Sequence, residues 1–157
     1  MTIRKFLVAA FFALVLSSGV SLAQNIYAGG SAGIYASAGT IFSLDSYLGF
    51  EGVFTEELDI RANVGLLAAG DLNAKFGADV IYGIDLDQGG PLSLHFGGGP
   101  KIYVGGGADF AIGSLAYIEY DLNNSDVSLF GEVDFDIFID GPNDAIGGFK
   151  GGLLYHF

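Results

Sequence analysis

Two histidines and eighteen carboxylates are the side chains of this 157-residue chain best suited to chemistry. His95 follows Ser93 by two positions, so an extended backbone turns both side chains to one face. A hydroxyl beside an imidazole is the beginning of a nucleophile–base pair for acyl transfer. Strand alternation alone makes such pairs, however, and no in-phase Ser follows His95. His156 lies in the last stretch of the sequence. Asp85-Leu86-Asp87-Gln88-Gly89-Gly90 has the opening of a calcium loop but lacks its third ligand and its distal Glu. Asn123-Asn124-Ser125 fits a glycosylation sequon and reads as a turn. The glycines at 29–33 and 105–107 lack the strand-to-helix setting of a nucleotide loop. No catalytic residue, cofactor site or metal site is therefore assigned. What remains is a run of carboxylates at every second position, Glu132, Asp134 and Asp136.

Alternation is the rule along most of the chain, and it is the signal of strands. Turn-forming clusters of Gly, Asn, Asp and Pro divide residues 24–157 into eight stretches: 25–36, 41–54, 57–67, 74–84, 92–104, 109–120, 127–139 and 146–157. Each is as long as a tilted membrane-crossing strand, which needs roughly 9–11 residues. Soluble strands are usually nearer to about 5–6. Gly97-Gly98-Gly99-Pro100 is expected to kink or bulge the fifth stretch, and if it turns instead the count of eight fails.

The first residues read as a secretory signal: Arg4 and Lys5, an apolar run from Phe6 to Leu16, and a small-x-small site ending at Ala23. This predicts a cleaved signal peptide over 1–23 and one domain over 24–157. Without Arg4 and Lys5, four basic residues face 18 acidic ones. So acidic a chain is a poor ligand for nucleic acid. It contains no Cys, which excludes disulfides and a lipidated cysteine anchor.

The two faces of the stretches differ sharply. One phase is hydrocarbon: Phe42, Leu44, Leu48, Phe50 and Phe54 in the second stretch, Leu58, Ile60, Val64 and Leu66 in the third, Val127, Leu129, Val133, Phe135, Ile137 and Ile139 in the seventh. It carries no charge, although 15% of the chain is charged. A charge facing lipid at the midplane costs about 2–4 kcal/mol. The other phase holds Asp45, Glu51, Asp59, Arg61, Lys75, Asp79, Lys101, Glu119, Glu132, Asp134, Asp136 and Lys150, interspersed with glycines such as Gly65 and Gly113. Ions of both signs among glycines suit a narrow interior, where large groups need small neighbours. Aromatic residues lie toward the ends of the apolar phase (Phe42, Phe54, Tyr82, Phe110, Tyr120, Tyr155), as an interfacial girdle requires. The pattern predicts an all-β, closed, antiparallel transmembrane barrel of about eight strands, hydrocarbon outside and charge within.

The closing sequence Gly151-Gly152-Leu153-Leu154-Tyr155-His156-Phe157 resembles the C-terminal signature of bacterial outer-membrane proteins, with Leu153, Tyr155 and Phe157 in phase. From signal peptide to Phe157 the chain resembles the small eight-stranded OmpA/OmpX-type barrels. The resemblance implies residence in the outer membrane, contact with its lipid, and recognition of the last strand by the barrel assembly machinery. It departs from those relatives in its short outward connections (37–40, 68–73, 105–108, 140–145), which argues against an adhesive surface. An even strand count places both termini in the periplasm.

The expected function is a structural or envelope-stabilising barrel without catalysis. Two alternatives stand beside it: a narrow cation-conducting pore with an acidic lumen, and a secreted soluble barrel that binds an apolar ligand. Divalent cations bridging Asp71, Asp140 and Asp144 to anionic lipid are a further expectation about partners.

Overall fold

A computed structural model describes residues 25–36, 39–87, 89–105, 107–122, 125–140 and 145–157. The expected signal peptide and its cleavage site at Ala23 lie outside the described residues, as does Asp144. Eight strands follow in order: β1 (Asn25–Ala36), β2 (Thr40–Glu51), β3 (Leu58–Ala69), β4 (Asp71–Asp85), β5 (Leu92–Val104), β6 (Ala108–Asp121), β7 (Val127–Asp140) and β8 (Ala145–His156). Each pairs antiparallel with its neighbour, and β8 returns to β1, so the sheet closes on itself. Closure leaves no unpaired edge, the condition for a sheet to lie in hydrocarbon.

The pleat sorts the side chains as the alternation requires, and in the inverted sense. Phe42, Leu44, Ile112 and Val133 are about 60% exposed on the outer wall, whereas Arg61, Lys75, Lys101 and Lys150 are at most 2% exposed. A soluble barrel would have the opposite arrangement. Leu153, Tyr155 and Phe157 also lie outward, with the Tyr155 and Phe157 rings edge-to-face at 4.9 Å. With Phe54, Tyr82 and Tyr120 they form an exposed aromatic rim at the end of the barrel that carries the termini. Phe42 and the half-buried Phe110 lie at the other end.

Two segments differ from the sequence reading. The second strand ends at Glu51 and not at residue 54, because Gly52 and Phe54 take positive φ (66° and 74°) and turn the chain. That turn carries Val53 against Phe50 and Ile60, so these two are buried although their phase faces outward. The connection expected over 68–73 shrinks to Gly70: Ala69 and Asp71 already pair, and the link needs φ +92°, a conformation glycine takes without steric cost.

Gly97-Gly98-Gly99-Pro100 stays within β5, so the count of eight holds. Pro100 has no N–H to give, and the β4–β5 ladder lapses opposite Ala78 and Asp79, then resumes in the same register. A Cβ at Gly99 would stand 1.9 Å from the Ala78 carbonyl oxygen, so the strands approach too closely there for any larger residue.

Candidate functional site in the lumen

The inward side chains form layers along the barrel axis. At the hairpin end Tyr35, Leu67, Tyr103, Ala111 and Ile146 form an apolar layer, with Ile41 and Phe138 against it. Below it lies the charged layer. At the termini end a second apolar layer, including Tyr27, Tyr117 and Phe130, underlies an open acidic cup.

The charged layer is one alternating string. Asp45 meets Lys75 at 3.0 Å, Lys75 stands 3.9 Å from Asp134, and Asp134 meets Lys150 at 3.1 Å. Lys150 meets Glu132 at 2.7 Å, and Glu132 meets Arg61 at 2.7 Å. Arg61 then stands 3.6 Å from Asp79, Asp79 3.5 Å from Lys101, and Lys101 3.5 Å from Asp136. All nine groups are buried. Polar neighbours fix the string: the Tyr35 hydroxyl donates to Asp134 and accepts from Lys75 at 2.6 Å, the Tyr103 hydroxyl donates to Asp136, and Asn63 donates to Asp79 at 2.8 Å. The Arg61 guanidinium also lies 4.5 Å from the centre of the Tyr47 ring, a favourable cation–π distance.

Register explains why these groups meet. Glu132 is directly opposite Lys150, and Arg61 opposite Asp79. Asp45 and Lys75 are both opposite Gly65, one from each side, and reach each other over the space its missing side chain leaves. Gly113, opposite Asp136, leaves space in the same way, and Lys101 reaches into it from a diagonal position on β5. An eight-stranded barrel has an interior that side chains just fill, and glycine placement decides where the long ions fit.

The cup, about 1200 Å³, is lined by Glu51, Glu56, Glu57, Asp59, Asp85, Glu119, Asp121 and Asp126 together with His95 and His156. All four lysines and arginines beyond residue 23 belong to the string, so among the described side chains lining the cup only the histidines can carry a positive charge. His156 is held on both ring nitrogens: Nδ1 donates to Glu51 at 2.8 Å and Nε2 donates to Glu119 at 3.0 Å. The Ser128 hydroxyl donates to the same Glu119 oxygen, and Asp59 accepts the Gly52 N–H at 3.1 Å. His95 stacks on Tyr117 with centroids 4.4 Å apart, shares a 2.7 Å hydrogen bond with Ser93, and stands 3.5 Å from Glu119.

The twelve charged positions expected in the lumen thus fall into two groups. Nine make the string, while Glu51, Asp59 and Glu119 belong to the cup. Alternation gives the face a residue points to but not its depth, so the division was invisible in sequence. Sequence reasoning also missed His95 and His156 as members of one cluster. Their only signal was membership of the inward phase near the ends of β5 and β8. Asp71 is exposed at the start of β4, at the opposite end from the cup.

No protein-family model matches the chain, and no curated protein matches it in sequence. Solved structures do. Neisserial surface protein A superposes with a TM-score of 0.62 at 15% identity, over 85% of this chain and 96% of its own. The N-terminal β-barrel domain of Pseudomonas aeruginosa OprF gives 0.61 at 11% identity, over 83% and 97%. The fold is that of the small outer-membrane barrels. A de novo designed transmembrane β-barrel matches equally well, with a TM-score of 0.60 at 10% identity over 86% and 97%. Likenesses at 15% identity or less show the fold alone, and function must be argued from the lumen and its mouth.

Proposed function

We propose that the protein is an integral barrel of the bacterial outer membrane with a structural, envelope-stabilising role, both termini in the periplasm, and no ion conduction. The observation that carries this reading is the charged string. Four cations and five carboxylates interlock across the lumen, all buried, with an apolar layer on each side. An ion crossing the barrel would have to disturb several buried pairs at once, and leaving even one such charge uncompensated costs about 3–5 kcal/mol. An acidic lumen had suggested a cation pore. The five carboxylates deep in the lumen instead share four cations, all lysine and arginine, and most of the remaining acidity lies in the cup. The soluble alternative is disfavoured by an outer wall whose exposed side chains are hydrocarbon.

The reading includes no catalysis. Ser128, His156 and Glu51 lie in the order of a nucleophile–base–carboxylate triad. Ser128 is wholly buried, however, and its hydroxyl points its proton at Glu119 and away from the imidazole. Ser93 and Glu119 approach His95 at the same nitrogen, so the carboxylate is not placed to orient the ring for Ser93.

Planar-bilayer recording on the purified barrel tests the reading. Silent bilayers are the expected result. Reproducible cation-selective steps would contradict the plugged lumen and restore the pore.

A further inference from the structure

The cup contains a group of ligating atoms that the structural reading does not use. One atom each from Glu119, Asp121 and His156 lies within 4.8 Å of the other two. A single ion of ordinary metal–ligand length, about 2.0–2.2 Å, fits among three atoms so spaced after small side-chain rotations.

The neighbours of these three residues resemble the outer shell of a metal centre. A metal-binding imidazole usually donates its other ring nitrogen to a carboxylate, which fixes the ring's orientation and tautomer. His156 does this through Nδ1, to Glu51 at 2.8 Å, leaving Nε2 turned toward Glu119. Ligating carboxylates are in turn held by hydrogen bonds. The Ser128 hydroxyl holds Glu119 in this way. A second imidazole is at hand, since His95 Nε2 stands 3.5 Å from the other Glu119 oxygen. The field also favours a cation: eight carboxylates line the cup, and the lysines and arginines are committed to the string beneath it.

We propose that Glu119, Asp121 and His156 form a binding site for a divalent transition metal of the zinc class, entered from the end of the barrel that carries the termini. On binding, the His156 Nε2 proton leaves to solvent and the metal takes its place between Nε2 and the two carboxylates, while Nδ1 keeps its proton and goes on donating it to Glu51. One imidazole nitrogen among carboxylate oxygens selects zinc, copper or nickel over magnesium and calcium, which prefer oxygen alone. This site is independent of whether the barrel conducts.

Calorimetric titration of the full-length, metal-stripped barrel in detergent with Zn2+ tests it. The wild type is expected to take up about one Zn2+ per chain, undiminished by excess Mg2+. Asp121→Asn removes a ligand from an exposed position and Glu51→Gln weakens the hold on His156. Each is expected to lower affinity about tenfold or more, while Asp109→Asn, at the start of β6 and the far end of the barrel from the cup, leaves it unchanged. Equal, weak uptake by all four proteins, displaced by Mg2+, would mean a diffuse acidic surface and overturn the site, as would no uptake. A second readout needs no variant: Cu2+ bound to the wild type should show hyperfine coupling to imidazole nitrogen by pulsed electron paramagnetic resonance. An oxygen-only spectrum would overturn the assignment.

Discussion

Glu132 joins the two halves of the lumen string, since its two oxygens each take a different cation at 2.7 Å, Arg61 and Lys150. Replacing it with Gln would leave the same volume and remove the charge both cations need. Breaking a buried pair from one side costs about 3–5 kcal/mol, because the partner stays buried and uncompensated. Glu132→Gln is therefore expected to lower the unfolding free energy by about that amount in denaturant titrations of the barrel in micelles. Glu57→Gln, an exposed change on the cup rim, is expected to stay within about 0.5 kcal/mol of wild type. At this scale the sequence was half legible. A charge at every second position tells that Glu132, Asp134 and Asp136 share a face. Which cation each one meets depends on the stagger between strands, and no short-range signal carries that. The Glu51–His156 contact, 105 residues apart, is the extreme case.

Strands β4 and β5 show how much of an element its residues dictate. Alternation located both to within three residues, because a one-residue slip would send every ion of one strand into lipid. Their ends were less legible. Gly70 alone turns β3 into β4, where a longer polar connection looked necessary, and the turn after β2 hides Phe50 and Ile60 beneath Val53. The Gly97–Pro100 segment carried two opposed signals, breaker and strand, and the barrel resolves them by close approach. A Cβ at Gly99 would overlap the Ala78 carbonyl, and one at Gly98 would stand 2.2 Å from the Gly113 carbonyl. Gly99→Ala is accordingly expected to force the two strands apart at a cost of about 1–3 kcal/mol, seen as a lower yield of the folded form on refolding into micelles.

The whole molecule is defined by the inversion of polarity, an apolar wall around a charged interior. Val133 tests this on the outer wall. It is 58% exposed and lies mid-strand, opposite Ala116 and Phe149. In a membrane, Val133→Lys is expected to cost about 2–4 kcal/mol in unfolding from lipid vesicles. On a water-facing wall the same change would be close to neutral. The most direct measurement is electrophoresis of the native protein, from a fractionated cell envelope, in dodecyl sulfate with and without boiling. A closed transmembrane barrel is expected in the outer-membrane fraction, to need detergent for extraction, and to change mobility on boiling as the closed sheet opens. A protein that leaves the cell envelope without detergent and runs identically before and after boiling would contradict the account.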